Sequence, residues 1–155
     1  MDERGAVDAV REALDAVVAG VGAGGAVSVE AGEEPGELRA VIAGEGLDAL
    51  VGRDGETIDA VQYLMSLVAS RAGEGSRMRV ALDVGGYRGR REKALKDLAA
   101  LAASEAVEFG EEIELDPMSP HDRRIVHMEL KDNPTVVTRS EGDEPRRRII
   151  VEPAD

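Results

Sequence analysis

Hydrophobic positions along the chain follow two rhythms, steps of three and four residues in some stretches and strict alternation in others. In residues 3–20, Val7, Val10, Leu14, Val17 and Val21 fall on one side and leave Asp8, Arg11, Glu12 and Asp15 on the other, which predicts an amphipathic helix. Residues 26–31 and 37–42 alternate, with Val27 and Val29 on one face and Leu38, Ala40 and Ile42 on another, around a hairpin loop at residues 32–36. Residues 47–51 predict one or two helical turns. A helix then starts near Glu56, with Ile58, Val61, Met65 and Val68 as its stripe, widened by Leu64. Met78, Val80, Leu82 and Val84 alternate with Arg77, Arg79 and Asp83 and predict a strand. Helix, strand, strand, short helix, helix, strand suits a three-stranded sheet covered on one face by three helices.

Gly85-Gly86 is expected to loosen the chain, and a second set of elements follows. Tyr87-Arg88-Gly89-Arg90-Arg91-Glu92 opens a long Ala/Leu helix to about Val107, with Leu95, Leu98, Leu101 and Ala102 expected on its buried face. Residues 111–115 predict a short strand. Ser119 suits an N-cap, Pro120 the first helical position, and Asp122 completes a spacing like that of a capping box. That helix should end near Lys131, before Asn133-Pro134, with Ile125, Val126 and Leu130 buried. Two β-rich runs, residues 135–138 and 147–151, are joined by the loop at 140–145. At 155 residues the chain suits two small domains, residues 1–84 and 85–155.

Composition narrows the chemistry. With no cysteine, the chain offers neither a disulfide framework nor a thiolate metal site. No apolar run reaches membrane-spanning length and no basic-then-apolar leader opens the chain, so the expectation is a soluble, cytoplasmic protein. Two tyrosines and one phenylalanine leave the core aliphatic and argue against modules that stack several bases on aromatic platforms. The net charge of −13 is uneven: residues 1–50 hold eleven acids against three bases, while 85–155 hold sixteen against twelve. Bases cluster at Arg88, Arg90, Arg91 and Lys93, at Arg123 and Arg124, and at Arg146, Arg147 and Arg148. Such clusters are usually solvated faces, and they also serve as local phosphate contacts on an acidic body.

Two motifs carry candidate chemistry. Gly52-Arg53-Asp54-Gly55 stands directly before a helix; its glycines let the backbone turn tightly and approach a partner, and the helix start favours a phosphate there. A plain loop between helices is the alternative. Arg123 and His127, four apart, share a helix face, expected to be the exposed one, and can grip adjacent groups on a strand, with Arg124 beside them. A surface ion pair of Arg123 with Glu129 or Asp116, and an ordinary half-buried His127, are the structural alternatives. His121, Asp122 and His127 do not make an enzyme site: the histidines are six apart, and no H-E-x-x-H, P-loop, Gly-x-Ser-x-Gly or dinucleotide fingerprint is present. No catalytic residue, metal or cofactor is expected.

The element order is similar to that of a type II KH domain, and the run Gly52-Arg53-Asp54-Gly55-Glu56-Thr57-Ile58 resembles the KH module of the bacterial Jag (SpoIIIJ-associated, KhpB) family. Tyr87-Arg88, Met118-Ser119-Pro120, Arg123-Arg124-Ile125-Val126-His127 and Thr138-Arg139-Ser140-Glu141-Gly142 resemble, in order, the R-3-H domain that follows it in that family. The resemblance implies an α+β fold, a type II KH domain followed by a small α/β R-3-H domain. It implies a non-catalytic binder of single-stranded RNA, or single-stranded DNA, acting as a post-transcriptional regulator linked to cell elongation or division. Gly52, Arg53, Asp54, Gly55, Arg123, Arg124 and His127 would form the contacts. A small partner protein consisting of a lone KH domain is also implied, with homodimer and heterodimer both open. The alternative is a protein-interaction adaptor associated with a membrane insertase, with little RNA affinity of its own. The sequence departs from the family at Asp54, a carboxylate where the loop commonly carries a second base, and at Gly89. The separate N-terminal Jag domain of many members is expected to be missing.

Overall fold

Asp2 opens the first helix by accepting a hydrogen bond from the Gly5 N–H at 3.0 Å, an N-cap that satisfies one of the helix's unpaired donors. The computed structural model describes residues 2–155; residue 1, within the first predicted domain, lies outside them. Helix α1, Glu3–Gly20, buries Ala6, Val10, Leu14 and Val18. The buried stripe is rotated slightly from the predicted one: Val7 and Val17 flank it half-buried, and Val21, past the last turn, is exposed.

The chain forms two compact units, Met1–Arg88 and Gly89–Asp155. In the first, β1 (Ala26–Ala31) pairs antiparallel with β2 (Glu37–Ala43), and β2 pairs in parallel with β3 (Arg79–Val84), giving the order β1-β2-β3. The connection from β2 to β3 consists of α2 (Asp48–Val51), a 3₁₀ turn at Arg53–Gly55 and α3 (Glu56–Ala72). One face of the sheet, with Leu38, Ala40, Ile42, Val80, Leu82 and Val84, packs with Ile58, Met65 and Ala69 of α3 and the α1 stripe. Leu64, expected to widen the α3 stripe, is exposed instead.

Polar residues of α3 perform a second task. β3 is an edge strand, and an edge leaves a row of N–H groups without strand partners. Gln62, Ser66 and Ser70, one helical turn apart from each other, accept from Leu82 N at 3.0 Å, Val80 N at 3.0 Å and Met78 N at 2.9 Å. The helix thus seals the strand edge with side chains in place of backbone.

Gly85-Gly86 is a bonded turn, not the loosening expected from its composition. Both glycines have positive φ, 58° and 73°, and the Gly85 N–H donates to Ile42 O at 2.8 Å. Arg88 then locks the end of the unit. Its guanidinium donates to Leu82 O at 2.9 Å, to Asp59 at 2.9 Å and to Gln62 at 3.1 Å, while its N–H donates to Asp83 at 3.1 Å. Arg88→Ala would take the guanidinium donor from Leu82 O and Asp59, while Asp83 keeps the residue-88 N–H and Gln62 keeps Leu82 N, and we predict a loss of about 1–2 kcal/mol in thermal or denaturant unfolding.

The second unit begins within α4 (Tyr87–Phe109) and continues through β4 (Ile113–Glu114), α5 (Pro120–Leu130), β5 (Val136–Glu141) and β6 (Arg148–Pro153). Its sheet has the order β4-β6-β5, and every pairing is antiparallel. Ser119 caps α5 by accepting from Asp122 N at 3.2 Å, with Pro120 following at the first helical position. Leu95, Ala99, Ala102 and Ala106 cluster with Val126, Leu130, Val136 and Val151 in the core. Leu98 and Leu101, expected inside, are exposed, because the buried face of α4 repeats from Leu95 at steps of four and three and selects alanines. Both units are α+β. Among the described residues, no helix is long and apolar enough to cross a membrane.

Candidate nucleic-acid interface

The Gly52–Gly55 turn owes its shape to positive φ at three of its four residues, Gly52, Asp54 and Gly55. Gly52 has φ 72° and ψ −173°, a region open essentially to glycine alone. A Cβ there would lie 2.2 Å from Thr57 Oγ1 and 2.9 Å from Thr57 N, so the turn also folds tightly onto the next helix. Asp54 has φ 52° and Gly55 has φ 83°. Gly55 is the N-cap residue of α3 and brings no side chain across the helix start. Arg53 and Asp54 are exposed, Gly52 is half-buried and Gly55 is buried. The loop therefore presents one guanidinium and one carboxylate at the positive end of a 17-residue helix.

Gly55 serves the fold as well as the loop. A Cβ on it would stand 2.9 Å from the Tyr87 ring, and its φ is unfavourable for any L side chain. A substitution at Gly55 therefore disturbs the fold as well as the loop. We predict that Gly55→Asp destabilises the first unit by about 1–3 kcal/mol in a thermal melt, whatever it does to binding. Arg53, exposed and outside the positive-φ positions, is the residue that probes the loop without disturbing it.

In the second unit α5 separates the motif residues. Arg123 is not on the exposed face: it is 9% exposed and lies on the stripe with Val126 and Leu130 at steps of three and four. Its guanidinium donates to Met118 O at 2.6 Å and to the Glu144 carboxylate, so its ion-pair partner is neither Glu129 nor Asp116. His127 is exposed, with Nδ1 hydrogen-bonded to Thr138 Oγ1 on β5. Arg124 is exposed and has no ion-pair partner among the described residues. Asp122, only 5% exposed, takes both Nε and Nη2 of Arg91 at 3.0 and 2.9 Å and ties α5 to α4.

Many of the clustered bases are engaged by the protein itself. Lys93 pairs with Asp97 at 2.9 Å, Arg147 donates to Gly142 O at 2.7 Å, and Arg148 pairs with Glu114. Arg139 meets Glu152 at 2.9 Å and Glu112 at 3.1 Å. Exposed cations without an ion-pair partner among the described residues include Arg53 at the loop, Arg124 on α5 and Arg146 beside β6. The role of Glu144, twenty-one positions from Arg123, has no signal in local spacing.

These two geometries coincide with two family matches. Residues 8–82 match the KH domain of KhpA/KhpB, and residues 93–153 match the R-3-H domain. The chain belongs to the KhpB (Jag) family. The RNA-binding protein KhpB of Clostridium symbiosum is 38% identical over 125 residues, 81% of this chain and 56% of that protein. The RNA-binding protein KhpB of Lactiplantibacillus plantarum is 38% identical over 146 residues, 94% of this chain and 44% of that protein. That of Bacillus subtilis is 30% identical over 116 residues, 74% and 55% of the two chains. The chain spans about half the length of these curated relatives. The first unit is thus a KH domain and the second contains an R-3-H domain, as the resemblance implies.

Proposed function

We propose that this chain binds single-stranded RNA without chemistry, through the Gly52–Gly55 turn and the exposed side of α5. The observation that carries the reading is the turn itself: positive φ at Gly52, Asp54 and Gly55 leaves Arg53 exposed at a helix start, where a strand phosphate meets both charge and N–H groups. The relatives' name, RNA-binding protein, supports the polymer class. On α5, Arg124 and His127 reach solvent and contact phosphate, while Arg123 acts through position, holding Met118 and Glu144 so that His127 and Thr138 keep their places. Asp54 moderates the loop's affinity by placing a carboxylate near the strand. The binding is tolerant of sequence at these points, since phosphate contacts fix register and do not read bases. The two halves, residues 1–84 and 85–155, contribute separately, and the protein acts in the cytoplasm as a post-transcriptional regulator linked to cell elongation or division.

One observation favours a docking role alongside. α3 leaves Tyr63, Leu64 and Leu67 exposed at 66%, 54% and 51% on one side of the helix. A lone-KH-domain partner would cover such a stripe. Electrophoretic mobility with single-stranded oligonucleotides, set against capture of that partner, separates the roles. Retarded RNA that Arg124→Ala weakens supports strand binding, while partner capture with no shift of any RNA supports the adaptor reading. For the loop, Asp54→Asn should tighten RNA binding by about two- to fivefold at low salt, because it removes one like charge near a phosphate.

A further inference from the structure

Between α4 and α5 the second unit holds an open cavity of about 580 Å³. Its apolar part is Ile125, half-buried, and Met128, 51% exposed. His121, Arg124 and Glu129 of α5 also line it, and Glu92 and Lys96 face them from α4. His127 is not among these residues; it turns toward β5 through Thr138, so the cavity lies on another side of α5. Lys96 is already engaged: its Nζ meets Glu92 at 3.1 Å, and the bond and charge of that carboxylate hold its pKa above the ordinary lysine value. Arg124 and Glu129 make no ion pair among the described residues.

We propose that this cavity receives one unstacked nucleobase of a bound strand and prefers guanine. The proposal rests on the strand-binding reading and adds to it a base-reading site. The volume falls in the range of about 300–1,000 Å³ typical of small-ligand sites. A flat base would cover the Ile125 and Met128 surface now facing water, and a thioether packs well against an aromatic ring. Arg124 suits the plane of the base or its phosphate. Glu129 supplies the discrimination. An ionised carboxylate only accepts hydrogen bonds, and guanine is the one RNA base with two adjacent donors, N1–H and the N2 amine, on its Watson–Crick edge. Adenine and cytosine offer a single amine there, and uracil a single imino N–H.

The test is titration of the full chain with each of the four ribonucleoside monophosphates, alongside an oligouridylate that contains no guanine. GMP should bind about tenfold tighter than AMP, CMP or UMP, the value of one charge-assisted hydrogen bond. Glu129→Gln should bring the four affinities together, and Met128→Ala should weaken all four. Both positions are exposed, so the variants keep the fold. Equal affinities in the parent, or an undiminished GMP preference in Glu129→Gln, would overturn the proposal. Oligouridylate binding reads the strand-binding proposal separately. If oligouridylate binds and the mononucleotides are indistinguishable, only the guanine site fails. A GMP preference without oligouridylate binding would sink strand binding and leave the base site standing.

Discussion

Asp122→Ala should cost about 3–5 kcal/mol of folding stability, the largest single loss we predict. The carboxylate is 5% exposed and holds the Arg91 guanidinium through two donors, so its removal breaks a largely buried, doubly bonded ion pair between α4 and α5. It also takes a negative charge from the first turn of α5, where the helix dipole favours one. Asp122→Asn keeps the shape and one acceptor and should lose about half as much. Urea unfolding of the parent and both variants, followed by circular dichroism, gives the comparison. A loss under 1 kcal/mol for the alanine variant, against the predicted ~3–5, would mean that Arg91 finds solvent at little cost.

Arg123→Ala and Arg124→Ala should separate stability from binding. Arg123 is nearly enclosed, its bonds go to Met118 O and Glu144, and its aliphatic stem shares the stripe of Val126 and Leu130. Removing it should cost about 2–4 kcal/mol through lost packing and an unmatched acceptor. At temperatures where the variant stays folded, the slope of log affinity against log salt should stay near that of the parent. Arg124→Ala should do the reverse, with an unchanged melting temperature and a slope shallower by about 0.7, the single-strand value per phosphate contact. Glu144→Gln discriminates further. If Arg123 were itself a phosphate contact, freeing it from Glu144 would tighten RNA binding; on the positioning account the variant loses stability and gains no affinity.

Much of this architecture is legible in the sequence because it rests on local period and local chemistry. The alternation from Met78 to Val84 is a strand buried on one side, and Ser119-Pro120 starts a helix where the capping rules place it. Features that depend on contacts across the chain are not legible. The serines at positions 66 and 70 look like neutral helix residues until the edge of β3 lies beside them. Leucine size suggests that Leu98 and Leu101 are core, yet helix phase gives the inside of α4 to alanines. Arg123 is legible as a buried residue, since it falls three and seven residues before Val126 and Leu130 on one stripe. Gly55 is readable as a turn glycine, but its contact with Tyr87, thirty-two positions on, is a fact of the tertiary fold.

The affinity of the full chain for a single-stranded RNA across a salt series, measured beside the variant carrying Arg53→Ala, Arg124→Ala and His127→Ala together, tests the central claim most directly. The parent should bind with a log–log slope of about −1.4, from roughly 0.7 for each of the two arginine contacts. The triple variant should keep the parent's melting temperature and lose both affinity and slope. A parent that binds no RNA, or a folded triple variant that retains the parent's slope, would contradict it.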